Sequence, residues 1–436
     1  MTTKLDRVRA DLNLGQGRHG HGVAVHLNNA GASPMPTPVL ECFKGILDRE
    51  QSIGAYAAAD EHRALFERTR ELAGRLVGAA DPAVEIALVD SATTAWARAF
   101  YSVKLCPGDV ILTCEAEYAA NYCAMLQQSK RFGAEIRVVG SRPDDGTVDV
   151  EALRELLEGS LGRRVRVVCI THVPTNGGLV NPAAEIGRVV KGSGVGSSVP
   201  VYILDACQSV GQLPVDVQEI QCDFLSATGR KFLRGPRGTG FLYANKGVLA
   251  EVETEEAGER ARLGSARITQ PPTIDHFAAP WVDASSYALA PTARRFEQWE
   301  SNFAGLCSLG VAIEYALELG VDEWIWPRVR GLGAGLRTRL LSVSPRVQVH
   351  DLGSDDRGTR CGIVTFSVAG VKPAAIEAYL LENGIYVSVS PSTSTLLDSQ
   401  RRALPGDGLV RASVSYINTE EELDRAAACL TDLLMP

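Results

Sequence analysis

The chain lacks the features that mark several whole classes of protein. No run of about 18 apolar residues occurs, so no membrane-spanning helix is expected. The opening Met1-Thr-Thr-Lys-Leu-Asp-Arg has no apolar signal core, which places the protein by expectation in the cytoplasm. Basic residues are outnumbered, 44 Lys and Arg against 52 Asp and Glu. The formal net charge of −8 argues against nucleic acid or an anionic membrane as partner. The ten cysteines form no Cys-x-x-Cys pair, so neither a disulfide frame nor a zinc site is expected. No Gly-Lys-Ser or Gly-Lys-Thr occurs, hence no P-loop. Gly192-Ser-Gly-Val-Gly196 follows a helix and precedes a strand, and Gly331-Leu-Gly-Ala-Gly335 follows no strand, whereas a dinucleotide loop needs strand, loop, helix. There is no internal repeat and no low-complexity tract.

What remains is an ordinary globular composition, 45% hydrophobic and 22% charged over 436 residues, enough for two or three domains. Residues 1–22 read as a polar arm with a short helix and a flexible stretch ending in Gly-Arg-His-Gly-His-Gly. Helical periodicity covers 37–54 and 61–76. Apolar runs at 86–89, 110–113, 136–139, 165–171 and 199–204 then alternate with helices at 93–104, 119–132, 148–157 and 183–191. That alternation predicts an α/β fold with a mostly parallel sheet covered on both faces. Residues 247–281 read as irregular. Strands at 363–368 and 410–415 and a last helix over 419–434, with Thr419 and Glu422 as its capping box, predict a smaller α+β unit.

Parallel sheets bind ligands at the carboxyl ends of their strands. Asp205 ends the run Val201-Tyr-Ile-Leu-Asp205, and Lys231 follows in Ser226-Ala-Thr-Gly-Arg-Lys231 within a Gly-rich stretch that continues to Gly240. An aspartate at a strand end and a lysine in such a turn suit pyridoxal phosphate (PLP): the lysine forms a Schiff base and the aspartate pairs with the pyridinium nitrogen. Asp205 also reads simply as a strand-end turn residue. Ser91-Ala92-Thr93-Thr94 opens a helix after a strand and reads either as a plain N-cap or as a phosphate cradle, toward which Thr228 and Arg230 can converge. Gln208 can reach the ring's phenolic oxygen, Tyr118 can stack on the ring or merely pack, and Asn176 suits a contact to a cofactor oxygen. His172 is equally a structural and a catalytic candidate, and Cys207 reads as a small buried residue.

Taken together these strings resemble fold-type I PLP enzymes of aminotransferase class V, the group of cysteine desulfurases and isopenicillin N epimerase-like proteins. Asp205-Ala-Cys-Gln208 resembles the family's Asp-x-x-Gln, Thr228-Gly-Arg-Lys231 its Ser-Gly-His-Lys, and Arg294-Arg295-Phe-Glu297 its Arg-Phe-Glu. The resemblance implies an arm over 1–30, a large PLP-binding domain over 31–285 and a small domain over 286–436. It implies a homodimer, with 263–281 approaching the partner's phosphate. It makes Lys231 and Asp205 catalytic, and Ala92, Thr93, Tyr118, Asn176, Gln208, Thr228 and Arg230 cofactor contacts. It also implies that Arg411 and the entrance-loop Asn29 bind the amino-acid substrate.

Departures narrow the chemistry. Tyr118 stands where desulfurases carry a stacking histidine. Their persulfide cysteine falls in a region where this chain reads Ser388-Val-Ser-Pro-Ser-Thr-Ser-Thr, with no cysteine between Cys361 and Cys429. The pattern is similar to C–S lyases of ergothioneine and lincosamide-type pathways, in secondary metabolism. The resemblance therefore implies α,β-elimination from an S-substituted cysteine to thiol, pyruvate and ammonia. Decarboxylation-coupled oxidative deamination to an aldehyde, epimerisation or transamination, and a non-enzymatic PLP-fold binding protein stand as alternatives.

Overall fold

Seven short strands build one sheet: β1 (Ile86–Val89), β2 (Val110–Cys114), β3 (Glu135–Val139), β4 (Val165–Thr171), β5 (Val201–Asp205), β6 (Phe224–Thr228) and β7 (Gly240–Ala244); all but the half-exposed edge strand β3 are buried along their length or nearly so. The computed structural model describes residues 3–15, 23–194, 199–250 and 267–435. The strand order is β1-β7-β6-β5-β4-β2-β3, with β7 antiparallel to both neighbours and the other pairs parallel. The alternation in the sequence thus yields the expected mostly parallel sheet. Observed bounds fall within three residues of the expected ones; for example, the helix expected over 93–104 runs Ala92–Tyr101.

β-branched residues dominate β4, Val165-Arg-Val-Val-Cys-Ile-Thr, and suit a strand covered on both faces. Side chains alternate between the two faces along each strand. Ala87, Val89, Ile203 and Phe224 pack with Trp96 and Phe100 of the helix Ala92–Tyr101. Ile86, Leu88, Leu204 and Leu225 pack on the other face with Ile186, Val190 and residues of the long apolar helix Phe303–Leu319. That helix is almost wholly buried, and no single helix among the described residues is long and apolar enough to cross a membrane.

One buried ion pair locks the edge of this sheet. Arg70 and Glu297 are 2% and 3% exposed, and Glu297 also accepts the Leu88 N–H at 2.7 Å. The Arg-Phe-Glu element therefore holds strand β1 in place rather than facing solvent.

The second sheet is antiparallel: β8 (Val347–Val349), β9 (Ile363–Val368), β10 (Ser388–Ser390) and β11 (Leu409–Ser413), in the order β8-β9-β11-β10. The helix Glu420–Leu434 packs on it, and the Thr419–Glu422 capping box forms as expected. Val25–His26 pairs with Ile385–Tyr386, and Asn28 bridges to Ser413, so the N-terminal strand belongs with this unit. In the stretch expected to be irregular, 247–281, a short helix occupies Lys246–Leu249, and at its far end a hairpin of Trp281–Asp283 and Ser286–Tyr287 begins. The flexible stretch expected near 16–22, part of the glycine run 192–196, and residues 263–266 of the segment expected at a partner lie outside the described residues.

Candidate active site

The carboxyl ends of β1, β4, β5 and β6 open on one cleft. At one wall the chain leaves β1 and starts the helix Ala92–Tyr101. Ser91 caps that helix, accepting the Thr94 N–H at 3.1 Å, which leaves the amides of the first turn toward the cleft lined by Ala92 and Thr93. β7 begins against this turn: a Cβ on Gly240 would lie 2.5 Å from the Ala227 carbonyl and 3.1 Å from the Ser91 backbone, so only glycine permits the approach. Thr228 and Arg230 complete the wall. Free amides, hydroxyls and a guanidinium around a helix start make an anion site.

The floor carries the opposite charge. Asp205 is 6% exposed; its Oδ2 accepts from Asn121 Nδ2 at 2.8 Å and its Oδ1 from the Cys207 N–H at 2.9 Å. Burial raises the Asp205 pKa, against which the two hydrogen bonds and the Lys231 charge work. Burial lowers the pKa of the Lys231 amine. Cys207, read from sequence as a small buried residue, is half-buried and lines the cleft; burial pushes its thiol pKa up. Gln208 donates to the Ala30 carbonyl at 3.2 Å, while its Oε1 is buried without a partner among the described residues.

These features fit PLP. The cradle suits its phosphate, Asp205 suits a protonated ring nitrogen, the orphaned Gln208 oxygen suits the ring hydroxyl, and half-exposed Tyr118 offers a ring face.

Arg411 enters from β11 of the second sheet, opposite Thr365 and Ser388. It is 8% exposed and donates to Thr175 Oγ1 at 2.6 Å; Thr175 itself lines the cleft. Among the described residues its Nε has no partner and no carboxylate forms an ion pair with it. Burial and the nearby Arg230 charge hold its pKa down to about 10, so it stays protonated at neutral pH. A buried guanidinium without a counter-ion calls for an anionic ligand.

The structure brings Ala92, Thr93, Tyr118, Asp205, Gln208, Thr228, Arg230 and Lys231 into one cleft, with Arg411 touching its rim through Thr175. It does not bring Asn176 or Asn29 there. Asn176 donates to Thr395 Oγ1 at 2.9 Å and accepts from Ser390, so its amide fastens the segment 390–395 instead of facing a cofactor oxygen. Asn29 is fully buried; it donates to the Ser413 carbonyl at 2.8 Å and accepts from Ser33 at 2.9 Å, which leaves nothing for a substrate. The His172 ring is buried and does not line the cleft.

Sequence reasoning missed Glu117 and Asn121. Asn121 lines the floor, and Glu117 lies buried behind it. Their four-residue spacing after a strand end was the available signal.

The comparisons agree with this geometry. Residues 25–426 match the family described as aminotransferase class-V. A cysteine desulfurase of Salmonella agona is 28% identical over 448 residues, 99% of this chain and 98% of that protein. A probable cysteine desulfurase of Synechocystis sp. is 26% identical over 427 residues, 94% of this chain and 91% of that one. Among solved structures, the cysteine desulfurase CsdA of Escherichia coli has a TM-score of 0.82 at 21% identity, covering 100% of this chain and 99% of that chain. The cystine C–S lyase C-DES, in complex with its reaction product cysteine persulfide, has a TM-score of 0.77 at 24% identity, covering 94% and 97%.

Proposed function

On the premise that this chain belongs to the aminotransferase class-V family and has the fold of the type I PLP-dependent transferases, we propose that it is a lyase cleaving the C–S bond of an S-substituted cysteine. PLP is its cofactor. When bound, PLP supplies an electron sink for the pair left as a bond to the substrate Cα breaks.

The chain's own residues do the rest. The start of the helix Ala92–Tyr101, Thr228 and Arg230 hold the phosphate, and Asp205 balances the positive ring nitrogen. Arg411 binds the substrate carboxylate; a guanidinium fork matches it bidentately. Lys231 Nζ takes the Cα proton, and its burial-lowered pKa leaves more of it in the neutral form a base needs. The β-sulfur then leaves as a thiolate, and water completes conversion of the remaining carbon skeleton to pyruvate and ammonia.

The observation that carries elimination with release of the sulfur, rather than its transfer to the protein, is the segment 388–402. It lies beside the cleft, tied to Asn176 and, through the Asp398 N–H at 3.1 Å, to the Glu115 carbonyl, and it holds no thiol. This also favours the subgroup that resembles C–S lyases of ergothioneine and lincosamide-type pathways. The test incubates holoenzyme with cysteine S-conjugates and follows pyruvate, free thiol and carbon dioxide, with intact mass of the protein. Thiol and pyruvate in equal amounts are expected. A persulfide on Cys207 or Cys361 would replace this reading with a desulfurase, and carbon dioxide with retained sulfur would replace it with the decarboxylating reaction.

A further inference from the structure

Behind the cleft floor lies a chain of buried polar groups that the proposed chemistry does not use directly. Glu117 is 3% exposed and takes hydrogen bonds from four donors. Thr113 Oγ1 reaches its Oε2 at 2.8 Å, and the Tyr118 N–H at 2.8 Å, Asn121 Nδ2 at 2.9 Å and the Thr171 hydroxyl reach its Oε1. Asn121, 2% exposed, spends its NH₂ group on two carboxylates, Glu117 on one side and Asp205 on the other. That fixes the amide's orientation, because a flipped Asn121 would turn its carbonyl toward two acceptors.

No cation among the described residues pairs with Glu117. The groups that face it are the Asp205 carboxyl and the thiols of Cys114 and Cys169 on the strands that flank it. Lys231 and Cys207 face Asp205. Burial pushes Glu117 up to about 7. A buried carboxylate with no cation of its own is costly, and serves little purpose as packing. A cation beyond Asp205, such as a protonated ring nitrogen, would compensate both acids at once.

We propose that Glu117 is a positioning residue that acts through Asn121 on Asp205, fixing the carboxylate plane and strengthening Asp205 as the proton partner of the cofactor's ring nitrogen. The inference rests on the reading of Asp205 as that partner.

The test loads the protein with PLP carrying ¹⁵N in the ring and follows that nitrogen by NMR against pH, with cofactor stoichiometry from absorbance. In Glu117→Gln, cofactor should remain bound while the ring nitrogen gives up its proton at a pH lower by about one unit, a tenfold change in its proton affinity. kcat should fall by about the same factor with KM little changed. Glu117→Asp should recover part of the shift. Asn121→Ala should move the nitrogen in the same direction, and it carries the test if Glu117→Gln does not accumulate folded. A wild-type titration in whichever of these variants folds would overturn the inference. Asp205→Asn separates the two readings. If it too leaves the ring nitrogen unchanged, the assignment of Asp205 fails; if it alone changes it, only the role of Glu117 fails.

Discussion

The two charged ends of the cleft are built on opposite terms. At the floor, Asp205 and Glu117 are satisfied from within, by Asn121, two threonine hydroxyls and two backbone amides. At the rim, Arg411 has a single hydroxyl and a weak carbonyl contact, and Arg230 bonds the Gly31 carbonyl; neither has a carboxylate among the described residues. The floor is finished by folding, whereas the rim is finished by what binds. A preorganised floor holds its dipoles in place before the reaction, which is where electrostatic catalysis is strongest. An unsatisfied rim selects ligands with two anionic groups, a phosphate and a carboxylate.

Lys231 joins the two ends, and its loss should produce the largest effect. Lys231→Ala should lose the borohydride-reducible link to PLP and drop turnover by on the order of 10³-fold or more. A reducible link through another lysine would break the comparison at its centre. Arg411→Ala tests the rim. Removing one charged hydrogen-bond partner costs about 1.5–3 kcal/mol, so KM for the amino-acid substrate should rise roughly ten- to a hundredfold, with kcat less affected. An unchanged KM would show that the guanidinium is not waiting for the substrate.

The last test reads stability instead of turnover and asks whether a buried ring near the cleft stays neutral in the fold. His172, next to β4, is the group to check: its ring is buried, its Nδ1 has no partner among the described residues, and burial pushes its pKa down to about 4. The unfolded chain binds a proton below about pH 6.5 and the folded one does not until about 4. Its contribution to stability is therefore complete above pH 6.5 and lost as the pH falls toward 4. Glu117, raised to about 7, works in the opposite sense, since the folded state then binds its proton first. Comparing His172→Phe with wild type cancels that term. Between pH 7 and 4 the difference in unfolding free energy should move in the variant's favour by on the order of 3 kcal/mol in denaturant titrations. A pH-independent difference would mean that burial does not lower the His172 pKa, and a difference moving against the variant as the pH falls would mean that the fold holds the ring protonated.

Much of this architecture was legible because its signals are local. The alternating apolar runs gave the sheet, and Asp205 and Lys231 stand in short strings whose order follows the chemistry. β6 and β7 were harder to read as strands: Phe224-Leu-Ser-Ala-Thr dilutes its apolar pattern with small residues, and β7 returns antiparallel within the same turn-rich stretch. Asn29 and Asn176 were misjudged because their partners lie 384 and 219 residues away, in β11 and the segment after β10. An asparagine in a loop looks the same in sequence whether it faces a ligand or ties two units together. The Glu117 pair was half visible at four-residue spacing, but its meaning required β4 and β5 to lie side by side with Thr171 opposite Asp205.

The segment 390–402 is stitched on three sides: to Asn176 after β4, to Glu115 through both Asp398 and Arg401, and to the His350 carbonyl through Arg402. Glu115 lies three residues before Tyr118 on the same loop. The two units are thus riveted at the mouth of the cleft, and the rivets share load. Widening the aperture shears them together instead of one at a time, so the doorway resists as a frame and its size is a property of the joint, not of any single side chain.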